Sequence, residues 1–244
     1  EKDGPPIKPG VAMADLSTGM YAAVSVLIAL RHAERTGEGQ HIDCSLLDTQ
    51  IATLANQGLS YLVGGVSPGR LGNAHPTVVP YRVFDAADGS VVVAVGNDAQ
   101  FRTLCAVLEL PELAADPRYA INSQRVIHRD TLEATLQAAI GTHQVHALID
   151  TLCARNVPCG PVNTIGQIFE DPFIEARGVV HRFRRGDGVE VPSVAFPGKF
   201  SLTPAQFERP PPHVGEHTGE VLGQWLGLDE EQRERLRRDG AIAG

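Results

Sequence analysis

The sequence has little of several features that would point early to a particular class of partner. Aromatic residues make up only 5% of the 244 residues, and 21 basic residues stand against 29 acidic ones, for a formal net charge of −8. A nucleic-acid surface needs a basic stripe or stacked aromatic platforms, so we expect no nucleic-acid partner. The 43% apolar and 20% charged residues are ordinary for a folded globular chain and exclude wholesale disorder.

Long hydrophobic runs and secretion signals are also scarce. The longest apolar stretch, Met20 to Leu30, is interrupted by Ser25 and ends at Arg31, short of the roughly 20 residues that a bilayer requires. The N-terminus, Glu1 to Pro6, lacks the basic and apolar segments of a signal peptide. We therefore expect a cytoplasmic protein without a membrane partner.

The cysteines are few and are not spaced as metal ligands. There are four cysteines and no CxxC pair, and the six-residue step from Cys153 to Cys159 is not a zinc-ligand spacing. Free cysteine behaves as a small hydrophobe, so we expect four reduced, mostly buried thiols and no metal site. The segment 158–161 is expected to be a rigid connection rather than a redox site.

The apolar pattern divides the chain into helical and mixed parts. A helix is predicted to begin with Val11, Ala12 and Met13. From Met20 to Thr36 its residues are apolar nearly all round as far as Arg31, which predicts a helix buried on most sides. The alternation from Gln40 to Ser45 predicts a short strand, and Leu46 to Val63 predicts a second helix. Two such helices and one strand cannot bury themselves, so we expect another body of protein to cover them.

These patterns predict a chain that mixes helices and strands. The predicted regions are a helical part (1–65), a linker and loop (66–78), a small α+β domain (79–195) and a tail (196–244). Turn residues at Asp88-Gly89 and at 186–188 predict two hairpins. The further predicted elements are helices over 98–108, 129–140, 145–156 and 229–238 and a short strand within 158–162.

Several common catalytic signatures are absent, and one carboxylate stands out. The sequence contains no GxGxxG, GxxxxGK[ST] or HExxH motif. Asp15 stands at the mouth of the first apolar helix, followed by Ser17, Thr18 and Gly19. It is either an N-cap that accepts hydrogen bonds from free backbone N–H groups or a carboxylate nucleophile.

A series of short motifs, in order along essentially the whole chain, resembles the class III CoA-transferases. This family, also called CaiB/BaiF, includes formyl-CoA transferase, carnitine CoA-transferase and the α-methylacyl-CoA racemases. The segments that carry the resemblance are 14–20, 35–40, 72–76, 80–81, 88–89, 94–98, 158–162, 171–172, 176–177 and 215–218.

The resemblance implies an α/β fold, the C-terminal part of the family's fold, with helices of the large domain (1–65) plus a smaller α+β domain, in an interlocked homodimer. It implies that Asp15 is the catalytic nucleophile and that coenzyme A is handled as a thioester, without a metal. In the family a Rossmann-like region that makes most CoA contacts precedes this segment. We therefore expect this chain to be the C-terminal portion of a longer protein and inactive without that region.

The implied reaction moves CoA from an acyl-CoA, with succinyl-CoA as a candidate donor, to a free carboxylic acid through aspartyl anhydride and aspartyl-CoA thioester intermediates. The loop Gly72-Asn73-Ala74-His75-Pro76-Thr77 is predicted to bind substrate. In formyl-CoA transferase the matching loop is glycine-rich and closes over the acyl group. His75, Pro76 and Thr77 stand in place of those glycines, so the alternative is a rigid linker turn fixed by Pro76. Tyr81 either reaches the same pocket or belongs to a strand core.

Two other functions stay open at this stage. In an α-methylacyl-CoA racemase or epimerase, the aspartate would act as an acid or base at the α-carbon with a histidine from the N-terminal part. A non-catalytic remnant, which only binds partner chains, would follow from the lack of the CoA-binding half.

Overall fold

The computed structural model describes residues 2–242, and the chain divides into two units at Val162. The first unit, Glu1–Val162, begins with three helices and continues into a small sheet with helices around it. Its helices are α1 (Met13–Thr36), α2 (Leu46–Thr53), α3 (Ala55–Gly64), α4 (Asp98–Val107), α5 (Pro111–Ala115), α6 (Asn122–Ile127), α7 (Arg129–Ile140) and α8 (Val145–Cys153). Its strands are β1 (Tyr81–Ala86), β2 (Gly89–Ala94) and β3 (Cys159–Pro161), and a 3₁₀ turn covers Pro117–Tyr119.

The first three helices are called here the helical segment (13–64). α1 runs without a break to Thr36 and ends at Gly37, whose φ of +78° is left-handed and whose N–H donates to the carbonyl of Ala33 at 2.8 Å. Glycine adopts this conformation without a steric penalty. The helix predicted to begin at residues 11–13 and to end at Thr36 is therefore confirmed, with its first residue at Met13.

Two predictions in this segment are wrong. Residues 40–45 form no strand, because a strand needs a paired neighbour and no described strand pairs with this stretch. Ser45 instead caps α2, its hydroxyl accepting from the N–H of Asp48 at 3.2 Å. The single helix predicted over 46–63 is two helices, since Ala55 takes a left-handed φ of +46°.

The helical segment buries almost none of its own apolar surface. α1 packs against α2, yet the buried residues of the three helices are Ser17 and Thr49, and Leu27 is 66% exposed. The helix predicted to be buried on most sides is thus exposed in this chain. By length and composition α1 could also cross a membrane, a test that the core helix of a water-soluble protein passes as well.

The remainder of the unit, called here the α+β body (79–162), contains the core. β1, β2 and β3 form an antiparallel sheet in that order, with Val83 opposite Val92 and Val93 opposite Cys159. The hairpin predicted at Asp88-Gly89 is confirmed. α4, α7 and α8 pack around the sheet. The largest apolar side chains that are fully buried there are Phe84, Phe101, Leu104, Leu132, Leu136, Ile140, Leu148 and Leu152.

Arg125 lies inside this core with no exposed surface. Its guanidinium donates to the carbonyls of Val79 and Tyr119 at 2.7 and 2.9 Å and to Asp98 at 2.7 Å, and it lies over the ring of Phe101. A buried charge is tolerated only when it is paired and hydrogen-bonded in this way. Arg125 therefore fixes α6 to the strand entry and to the start of α4.

The second unit, Asn163–Gly244, has less regular structure. It contains α9 (Ile165–Glu170), α10 (Pro172–Ala176), β4 (Val180–Arg184), β5 (Glu190–Val194), α11 (Thr218–Leu226) and α12 (Glu230–Arg238). β4 and β5 pair as the predicted hairpin, and α12 is the predicted charged helix. The division at Val162 lies inside the predicted 79–195 domain, whose bounds stay a prediction.

Candidate functional site

Asp15 lies in the first turn of α1 with its side chain exposed. The N-cap of this helix is Ala12, which makes no side-chain capping bond, so the interpretation of Asp15 as the N-cap is wrong. The hydroxyls of Ser17 and Thr18 donate back to the carbonyls of Met13 and Ala14, both at 2.7 Å. Within residues 2–242 the Asp15 carboxylate has no salt-bridge partner.

The loop 72–77 forms a turn organised around the His75 ring. Nδ1 of His75 accepts from the backbone N–H groups of Thr77 and Val78 at 3.2 and 3.1 Å. The backbone N–H of His75 donates to the carbonyl of Tyr81 at 2.8 Å, and the two rings stack with centroids 5.2 Å apart. Since Nδ1 accepts both bonds, this geometry assigns the ring N–H to Nε2.

Side chains of the α+β body hold the same loop from outside. Arg129 donates to the carbonyls of His75 and Pro76 at 2.8 and 2.9 Å. Asn122 donates to the carbonyl of Thr77 at 2.8 Å, and the side-chain oxygen of Asn73 accepts from the N–H of Val83 at 3.0 Å. These hydrogen bonds fix the conformation of the loop. A fixed turn is consistent with His75, Pro76 and Thr77 in place of glycines.

Arg129 is itself held by a buried carboxylate. Glu133, whose side chain is 7% exposed, pairs with Arg129 at 3.3 Å and with Arg82 at 2.9 Å. Buried carboxylates need such partners. The pairing fixes the guanidinium of Arg129 beneath the loop.

Three clefts lie near these elements. One of about 520 Å³ takes in Gly72, Asn73 and Ala74 together with Pro5–Ile7, and one of about 80 Å³ joins the same three loop residues to Arg82 and Arg129. An apolar groove of about 840 Å³ runs along α3 and residues 67–69. Asp15 lines none of these three.

The structure therefore brings the six predicted loop residues together with Tyr81, Asn122 and Arg129, and it leaves Asp15 on a separate element. Within the described chain no hydrogen bond joins Asp15 to the loop. Asn122 and Arg129 were missed by sequence reasoning. They lie more than 40 residues from the loop positions that they hold, and no local motif marks them.

The cysteines are less buried than expected. Cys105 is buried, Cys44 and Cys159 are half-buried and Cys153 is exposed. The expectation of mostly buried thiols is wrong, because Cys153 ends α8 at the surface. Burial in the core raises the pKa of Cys105 to about 11. Cys159, beside Cys153, has its pKa raised to about 12 by burial and by the neighbouring thiol.

Comparison with known proteins identifies the class. The family model of CoA-transferase family III matches residues 1–218, so the chain belongs to this family. The crystal structure of a CaiB/BaiF family protein from Brucella suis superimposes with a TM-score of 0.75 at 39% sequence identity, over 92% of this chain and 58% of that one. The resemblance and the α/β fold that it implied are confirmed, whereas the interlocked homodimer stays a prediction.

Curated proteins that are similar to most of this chain are named as CoA-transferases. The chain is 46% identical to a succinate–glutarate CoA-transferase of Agrobacterium fabrum, over 92% of this chain and 56% of the relative. It is 35% identical to the succinyl-CoA:glutarate CoA-transferase of Mus musculus, over 99% of this chain and 55% of the relative. The chain thus spans about half the length of the curated relatives that it matches.

Proposed function

We propose that the protein moves CoA from an acyl-CoA to a free carboxylic acid, with Asp15 as the nucleophile. The observation that carries the proposal is an exposed, unpaired carboxylate in the first turn of the long helix α1, in a chain of CoA-transferase family III. Succinyl-CoA is the proposed donor and a dicarboxylic acid such as glutarate the proposed acceptor, because the curated relatives are named for these acids.

The chemistry follows from carboxylate nucleophilicity. Asp15 attacks the thioester carbonyl, the C–S bond breaks, and CoA thiolate leaves from an aspartyl anhydride. The thiolate attacks the aspartyl carbonyl, which releases the donor acid and leaves an aspartyl-CoA thioester. The acceptor carboxylate attacks that thioester and releases the thiolate again. The thiolate then attacks the acceptor's acyl carbon, which frees Asp15 and yields the new acyl-CoA.

An anhydride survives only where water is excluded, and Asp15 is open to solvent in this chain. Its helix carries exposed apolar side chains close by, including Leu16 at 57% and Met20 at 66% exposed. Exposed apolar area of this extent marks an interface. We therefore propose that an interlocked homodimer and the region that the longer relatives contain cover this surface, and that α1 is a core helix rather than a membrane span.

The loop 72–77 is proposed to bound the acyl group. Its support is the set of bonds from Arg129, Asn122 and Val83, which fixes the loop before substrate binds. Preorganised groups position a reactant without an ordering cost during the reaction. A fixed wall of this kind suits selection of an acid by size.

The test traps the acyl-enzyme and uses the protein as its gene encodes it, with whatever residues the reading frame places before Glu1. After incubation with succinyl-CoA, hydroxylamine converts an anhydride or thioester to a hydroxamate, and peptide mapping locates it. We expect the hydroxamate on Asp15 and complete loss of transfer in Asp15→Asn. Asp48→Asn is the matched control, since Asp48 is an exposed carboxylate in the first turn of α2.

Three results would contradict the assignment. A hydroxamate on another residue would exclude Asp15 as the nucleophile. Exchange of the substrate α-proton without an adduct would indicate a racemase. The absence of both the hydroxamate and the proton exchange would indicate a chain that only binds its partners.

A further inference from the structure

Cys153 and Cys159 place their sulfur atoms 3.6 Å apart. The sequence spacing gives no sign of this contact, because five residues separate the two positions. Of the four thiols, Cys44 and Cys105 have no sulfur neighbour in the part of the chain that the structure describes. The contact singles out one pair of thiols in the molecule.

The turn after α8 creates the contact. Asn156 adopts a left-handed φ of +60°, a conformation that asparagine tolerates better than most residues. The N–H of Val157 donates to the carbonyl of Leu152 at 3.0 Å, which reverses the chain. Cys159 then enters β3 opposite Val93 and returns alongside Cys153.

Both sides of the pair rest on ordered structure. The side chain of Gln100 in α4 donates to the carbonyl of Asn156 at 3.0 Å and holds the turn, while β3 is paired to β2. The sulfur atoms of a disulfide lie about 2.05 Å apart. Closing the bond therefore requires the two short side chains to approach by about 1.5 Å.

Against the expectation from the sequence that 158–161 is a rigid connection rather than a redox site, we infer that Cys153 and Cys159 form a redox-active dithiol that closes to an intramolecular disulfide by exchange with a small disulfide such as oxidised glutathione. The inference is independent of the proposed transferase activity, because it concerns the α+β body and needs neither Asp15 nor CoA.

Exposure assigns different roles to the two cysteines. Cys153 is exposed and can meet a disulfide from solvent, whereas Cys159 is half-buried, with its sulfur also 3.8 Å from the carbonyl of Ile149. Burial and the neighbouring thiol raise the pKa of Cys159 to about 12. Because the thiolate is the attacking form, Cys153 attacks first and Cys159 resolves.

The exchange balances in two steps. The Cys153 thiolate attacks one sulfur of the small disulfide, whose S–S bond breaks, and one small thiolate leaves and takes up the proton that Cys153 lost. The Cys159 thiolate then attacks Cys153 Sγ in the mixed disulfide and expels the second small thiolate, which takes up the proton from Cys159. The protein pair is oxidised by two electrons, and the small disulfide is reduced to two thiols.

Tryptic mapping under non-reducing conditions tests the inference on the intact 244-residue chain. Arg155 lies between the two cysteines, so trypsin places Cys153 in peptide 130–155 and Cys159 in peptide 156–177, and it places Cys44 and Cys105 on two further peptides. After incubation with oxidised glutathione, we expect peptides 130–155 and 156–177 joined by a disulfide and separated by a reductant. Persistent glutathione on Cys153, or a link through Cys44 or Cys105, overturns the inference.

Variants separate the two roles. In Cys159→Ser, we expect the glutathione adduct on Cys153 to accumulate at least tenfold over the wild type, because nothing resolves it. In Cys153→Ser, we expect no adduct at Cys159. Cys105→Ser, the matched control, keeps the 130–155 to 156–177 link. Equal adduct levels in the wild type and in Cys159→Ser contradict the inference, and the wild-type map decides it even where a variant fails to fold.

Discussion

The helical segment and the α+β body differ in which side chains they bury. In the body, sixteen apolar residues from Val79 to Val157 form one buried cluster. In the helical segment, the residues that are buried carry hydroxyl groups, Ser17 and Thr49, and the apolar side chains point to solvent. The helices therefore meet one another through polar positions and leave their apolar faces free for another body of protein.

The internal bonds of the helical segment fit this inverted arrangement. The hydroxyl of Ser17 donates to the carbonyl of Met13 in its own helix, and the thiol of Cys44 lies 3.8 Å from the carbonyl of Thr18. The side-chain nitrogen of Gln50 is buried without a hydrogen-bond partner within the described residues. An unpaired buried donor costs stability, so the helical segment is less well satisfied by its own contacts than the body is.

Leucine truncation gives the sharpest test of this contrast. Leu104 in α4 is fully buried, so Leu104→Ala is expected to lower the free energy of unfolding by about 2–5 kcal/mol through lost burial and a cavity. Leu27 in α1 is 66% exposed, and Leu27→Ala is expected to change it by less than about 0.5 kcal/mol. Urea denaturation of each variant of this chain measures both values.

The same pair also tests the covered assembly. In a homodimer or longer protein that buries α1, the cost of Leu27→Ala should rise toward that of Leu104→Ala. Equal and small effects for both variants in this chain would refute the division into a folded body and a dependent segment.

Sequence reasoning succeeded where local chemistry decides the structure. The Asp88-Gly89 turn predicted the first hairpin, and the apolar run to Thr36 predicted the long helix α1. It failed where a distant partner decides. Residues 40–45 alternate like a strand but have no described neighbour to pair with, and the left-handed backbone at Ala55 has no marker in the sequence.

The candidate site shows the same limit. Motif order, through the resemblance to the family, pointed to Asp15 and to the loop 72–77, whose roles stay a proposal. The residues that support the loop could not be predicted from the sequence. Arg129 and Asn122 contact the loop from helices that lie 45–54 residues further along the chain. Arg125, which lies in a stretch that looks polar and irregular, is a fully buried core residue.

Removing Arg129 tests how the body imposes order on the loop. Arg129→Met deletes charge-assisted bonds to the carbonyls of His75 and Pro76 and one partner of the buried Glu133. We expect a loss of about 2–3 kcal/mol in the free energy of unfolding and faster hydrogen exchange at the amides of Thr77 and Val78.

Arg118→Met is the matched control, because Arg118 pairs with Asp116 at the surface with its side chain 59% exposed. Exposed pairs contribute about 0–1 kcal/mol, so this variant should leave both measurements nearly unchanged. An Arg129→Met protein with wild-type exchange in the loop would show that the turn around the His75 ring holds itself.

The smallest expected effect is the pH dependence of the body's core. Burial raises the pKa of Cys105 from 9.0 to about 11, so above the lower value the unfolded chain loses a proton that the folded chain keeps. Stability is therefore intact below about pH 9 and falls as the pH rises toward 11, by on the order of 2 kcal/mol near pH 10.5. Urea denaturation at about pH 8 and pH 10.5 measures the fall. Cys105→Ala should be less stable at the lower pH yet lose less between the two, because it lacks the Cys105 thiol, whereas Cys159, whose pKa is also raised, contributes to the fall in both proteins. The same slope in both proteins would place the alkaline sensitivity outside this core.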